Sequence, residues 1–105
     1  MTKTVIDAGI CGFKTYVEAE SDDGQNVSLE IKSGCPDIMA MSESLKKLDA
    51  YNVVFGPMTD SPVYKLAAKH CSHAACPVPM GIIKTIEVAC SLALPKDATV
   101  HIEKD

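Results

Sequence analysis

The residues of this chain that could carry chemistry are five cysteines and three histidines, dispersed along 105 residues. Three of the cysteines fall at breaks in the regular pattern: Cys11 in Gly9-Ile10-Cys11-Gly12, Cys35 in Gly34-Cys35-Pro36-Asp37, and Cys76 before Pro77. A cysteine followed by proline reads as a helix start, because proline is favoured at the first helical position, where its missing N–H is not needed. A thiol placed there lies near free N–H groups and the positive end of the helix dipole, which together favour the thiolate. The thiolate is both the nucleophile and the soft-metal ligand. This arrangement occurs at Cys35 and again at Cys76, and it is the strongest chemical signal in the chain.

The second concentration is His70-Cys71-Ser72-His73-Ala74-Ala75-Cys76. Two imidazoles and two thiols in one short stretch can chelate a transition metal. No C-x-x-C occurs, so the spacing is not that of a zinc ribbon, but a His-x-x-Cys step from His73 to Cys76 can bring both ligands to one ion in a loop entering a helix. The expected site is Cys11, Cys35 and Cys76, completed by Cys71 or His73 and holding zinc or an iron–sulfur cluster. One such centre would tie a hairpin and two helices together, and in a small domain that adds folding free energy.

Two other readings use the same residues. One is a thiol enzyme or redox protein with Cys35 or Cys76 as nucleophile and His73 as base. The other is a structural or interaction domain whose thiols hold no metal and pack as small hydrophobes. His70 reads as a cation at a helix C-terminus, Cys90 as a core residue and His101 as a solvated surface residue.

The rest of the composition narrows the classes. A net charge of −4 argues against nucleic acid, which requires a basic stripe to displace phosphate counterions. The longest apolar stretch, residues 79–94, is broken by Lys84 and Glu87 and is too short for a membrane span. Met1-Thr2-Lys3-Thr4 opens no apolar leader, and the cysteine count is odd, so reduced thiols in the cytoplasm are expected instead of a disulfide framework. Neither G-x-G-x-x-G, nor a phosphate-binding P-loop, nor a G-x-S-x-G elbow is present.

The elements that must position these residues follow from periodicity. Phe13, Thr15, Val17 and Ala19 alternate with polar residues, as do Val27, Leu29 and Ile31 after the turn Asp22-Asp23-Gly24. They predict a hairpin with one wet face. Gly9 and Gly12 predict a bend after Val5-Ile6 in place of a smooth strand. Ile38, Met41, Leu45 and Leu48 predict a helix after Pro36; Val63, Leu66 and Ala67 predict a second after Pro62, closing at His70. A third follows Cys76-Pro77 with Ile82, Ile86, Cys90 and Ala93 on one side. Thr99–Glu103 alternates again, with Val100 and Ile102 expected to face inward. The expectation is a single α+β domain spanning residues 1–105. It has a three-stranded, mainly antiparallel sheet (the hairpin plus a C-terminal strand) and about three helices on one face, in the order ββαααβ.

Cys11-Gly12-Phe13, Ser33-Gly34-Cys35-Pro36 and His73-Ala74-Ala75-Cys76-Pro77-Val78-Pro79 together resemble the marks of a small family of uncharacterised proteins of about this length, mostly of anaerobic microbes. The resemblance spans nearly the whole chain. It implies a shape and a habitat in which iron–sulfur chemistry is frequent, and it implies no established activity.

Overall fold

The hairpin expected from alternation forms the middle of the sheet in the computed structural model, which describes residues 1–105. Strand β2 (Lys14–Glu20) pairs antiparallel with β3 (Asn26–Ser33), Val17 opposite Ile31 and Ala19 opposite Leu29. Thr15, Val17, Ala19, Val27, Leu29 and Ile31 are buried, while Lys14, Tyr16, Ser28, Glu30 and Lys32 are exposed on the other face. A period of two on a half-buried sheet requires this division.

Two more strands flank the hairpin, giving the order β1-β2-β3-β4. Strand β1 (Thr2–Asp7) pairs antiparallel with β2, and β4 (Lys47–Asp49) pairs antiparallel with the start of β3. Four α-helices complete the chain: α1 (Pro36–Ser42), α2 (Ala50–Val54), α3 (Pro62–His70) and α4 (Val78–Ala89), with a 3₁₀ turn at Met58–Asp60. The helices cover the buried face of the sheet, and Ile38, Met41, Leu45, Val63, Val78, Ile82, Ile86 and Cys90 join its inward side chains in one core. Helix α4 lies on β1 and β2. The Thr85 hydroxyl bonds that of Thr4 at 2.7 Å, and a Cβ built on Gly81 would stand 2.7 Å from Ile6 Cγ1. No helix is long and apolar enough to cross a membrane.

This architecture corrects the three-stranded sheet with three helices in the order ββαααβ; the chain remains α+β, with four strands and four α-helices. Each difference has a local cause. Residues 2–7 do form a strand, and Gly9 and Gly12, at φ +92° and +76°, make the turn after it. The first helix stops at Ser42, whose hydroxyl donates to the Met39 carbonyl at 2.6 Å, and tight turns at Ser44 and Leu45 follow. Leu45 is buried outside the helix, and Leu48 belongs to β4. The Asp49 carboxylate accepts from the Tyr51 amide at 3.0 Å and starts α2. Residues 94–105 form neither helix nor strand; Val100 and Ile102 are both 83% exposed and do not face inward. His101 is exposed and Cys90 is buried in the core, as expected.

Candidate functional site

Three of the five cysteines are brought to one neighbourhood, and each comes from a different junction. Cys35 occupies the N-cap position of α1 in extended conformation, and its side chain makes no capping hydrogen bond. Cys71 is the C-cap of α3, with its amide bonded to the Ala67 carbonyl at 2.8 Å. Cys76 lies two residues before α4, whose N-cap is Pro77, so Cys76 is not a helix cap. Its amide donates to the His73 carbonyl at 3.3 Å. All three thiols are half-buried and packed against the core.

The link between the two ends of this neighbourhood is Asp37, in the first turn of α1. Its Oδ2 accepts from the Ser72 hydroxyl at 2.9 Å and from the Ser72 amide at 3.2 Å. On the other side, the Ser33 hydroxyl accepts from the Cys35 amide at 3.1 Å and bonds the Thr15 hydroxyl at 2.8 Å. Cys35 is thereby tied to the sheet and Cys71 to α1.

Cys71 feels the charges of both other thiols and of Asp37. Burial pushes the Cys71 thiol up to about 11; the like charges of Cys76, Asp37 and Cys35, and a side-chain hydrogen bond with Cys76, push the same way. Its place at the carbonyl end of α3 also disfavours a thiolate. Cys71 is therefore a protonated thiol at neutral pH in the free protein. This is the opposite of the dipole-activated thiolate that a helix start would supply.

The other expected ligands are more exposed than these three. Cys11 is exposed in the β1–β2 turn. That turn lies at the same end of the sheet as Cys35, because Thr15 pairs with Ser33 there and the Gly34 amide bonds the Lys14 carbonyl at 3.3 Å. His73 is exposed, and His70 is in the last turn of α3. No three His, Cys, Asp or Glu side chains are grouped so as to hold a metal ion. Cys35, Cys71 and Cys76 lie at junctions joined through Asp37 and Ser72 and do not form a finished coordination sphere.

Asp37 and Ser72 are the positioning residues that sequence reasoning missed. Asp37 reads as a helix-dipole partner, and Ser72 carries no signal at all, since their contact spans 35 residues. A family model described as a family of unknown function (DUF6951) matches residues 2–102. No curated protein and no solved structure matches the chain.

Proposed function

The chain belongs to this family of unknown function, and we propose that it binds a thiophilic metal centre, zinc or an iron–sulfur cluster, through Cys35, Cys71 and Cys76. One observation carries the reading: the two Asp37–Ser72 hydrogen bonds fasten the segment that bears Cys71 and Cys76 to the helix that Cys35 begins. The like charges of Cys76, Asp37 and Cys35 around Cys71 are what a bound cation would offset. The residues between α3 and α4 hold Cys71 and Cys76 outside helix and strand, so closing this segment onto Cys35 is the ordering step that metal binding would drive. Cys11, at the same sheet end, is the available fourth thiol.

The test is metal content and the visible spectrum of protein purified without oxygen. The reading expects bound zinc or iron in the wild type and none in Cys35→Ser/Cys71→Ser/Cys76→Ser. Metal-free wild type that also refuses zinc and a reconstituted cluster would end it.

The second reading, a dithiol pair of Cys71 and Cys76, draws on the hydrogen bond and charge interaction between them. It is the weaker, because a thiol pushed up to about 11 is a slow attacker at neutral pH.

A further inference from the structure

Residues 94–105 leave the body of the molecule as an exposed arm. The molecule measures 47 Å along one axis against 27 and 25 Å along the others. Its longest strand has eight residues and its longest helix twelve, which account for only about 26 and 18 Å; the arm supplies the rest. The family match runs to residue 102, so the arm belongs to the pattern the family shares. Within it Thr99, Val100, His101, Ile102 and Glu103 alternate and are rich in β-branched residues. The His101 ring reaches the Glu103 carboxylate at 2.8 Å, a contact between side chains two apart that an extended backbone allows. The segment has the pattern of a strand and no strand beside it.

The sheet has a vacancy of matching length. Strand β1 pairs only with β2, leaving the outer N–H and C=O groups of six residues without a neighbouring strand. The opposite edge, β4, has only three residues. An unpaired edge of this kind is a template for another strand.

We propose that Thr99–Glu103 adds to β1 of a second copy of this chain, so that two copies exchange arms. Charge and burial select the antiparallel register. With Val100 opposite Ile6 and Ile102 opposite Thr4, the arm's apolar side chains join the helix-covered face. On the open face Glu103 then stands opposite Lys3, and His101 opposite Val5. The parallel register that also seats one of the two apolar side chains at Ile6 (Val100 at Thr4, Ile102 at Ile6) brings Glu103 beside Asp7 and loses the Lys3 pairing; like charges directly opposite are destabilising.

Chain direction turns this into a choice of partner. Helix α4 runs back along β1, from Gly81 at Ile6 to Thr85 at Thr4. The arm therefore starts where β1 starts, and turning straight back onto its own β1 gives the parallel register. A second copy related by a two-fold axis delivers the arm from the other end, antiparallel, and each copy receives the strand it donates.

The experiment is sedimentation equilibrium of the full chain with amide exchange read at β1. Wild type is expected to be a dimer with protected outward β1 amides, and V100K/I102K a folded monomer in which that protection is lost. E103K is expected to weaken the dimer roughly tenfold, since the pair occurs twice per dimer, and K3E/E103K to restore it to within about twofold. A monomeric wild type overturns the proposal; if its β1 is protected until V100K/I102K is introduced, the arm pairs within its own chain. A dimer that survives V100K/I102K overturns it as well.

Discussion

Ser72 reaches across 35 residues to Asp37, its hydroxyl at 2.9 Å and its amide at 3.2 Å from the same carboxylate oxygen. This fastens the segment after α3 to the first turn of α1, and with it Cys71 to the side of Cys35. The clamp is partly exposed, so charge-assisted bonds of this kind contribute about 1 kcal/mol or less of global stability. Their local effect is larger. Asp37→Ala is expected to speed amide exchange at Ser72 markedly while shifting the melting midpoint by only a few degrees. Asp37→Asn, which keeps one carbonyl acceptor, should fall between. Unchanged exchange at Ser72 in Asp37→Ala would mean that the clamp does not hold the segment.

Cys71 makes stability depend on pH in a stated window. Its folded value is raised from 9.0 to about 11. The folded protein therefore holds this proton more tightly than the unfolded chain, and the resulting stability is fully present below pH 9. As pH rises from 9 to about 11 the unfolded chain loses the proton first, and that stability is lost. Chemical denaturation at pH 8 and at pH 10.5 should show a decline that is smaller in Cys71→Ser, whose hydroxyl does not titrate. An equal decline in both proteins would place the responsible group elsewhere.

How much of this was legible in the sequence depends on whether the deciding contact is local. The hairpin was, because Val17, Ala19, Leu29 and Ile31 each show their burial by period alone. Strand β1 was obscured because Val5, 62% exposed on the open face, sits next to buried Ile6 and breaks the alternation. Leu45 and Leu48 satisfy a helical period although neither is in a helix, and only pairing of Lys47–Asp49 with β3 separates the cases. For the arm the strand pattern is plain and the partner is missing from the chain. At the site, the Cys-Pro pattern of Cys35 and Cys76 signals a helix start, and only Cys35 occupies an N-cap. What joins them is Cys71 at a helix end, held by an Asp37–Ser72 contact no local pattern announces.

The close approach of α4 to β1 gives a stability prediction independent of the thiols. Alanine at position 81 raises helix propensity by about 1 kcal/mol, but its methyl would run into Ile6. Overpacking of this kind costs about 1–3 kcal/mol, so Gly81→Ala should be net destabilising. Ile6→Ala removes both side-chain atoms in the way, Cδ1 and Cγ1, and the double variant should lose less than the sum of the singles. A stabilised Gly81→Ala would show that the seam has room.

The central claim is that Cys35, Cys71 and Cys76 are ligands of one centre, and cobalt(II) titration of the reduced protein under anaerobic conditions tests it most directly. The sulfur-to-cobalt charge-transfer absorption reports how many thiolates bind, and zinc should displace the cobalt and bleach it. Wild type is expected to saturate at one cobalt per chain with the intensity of at least three thiolates and to release protons as it binds. Cys35→Ser, Cys71→Ser and Cys76→Ser should each lose most of the signal, and combining them should add little, because ligands of one site act as a unit. Cys90→Ala, which empties a buried core position at a cost of about 1 kcal/mol, should titrate like wild type. Charge-transfer absorption that is absent in wild type, or that survives all three serine variants, would contradict the site.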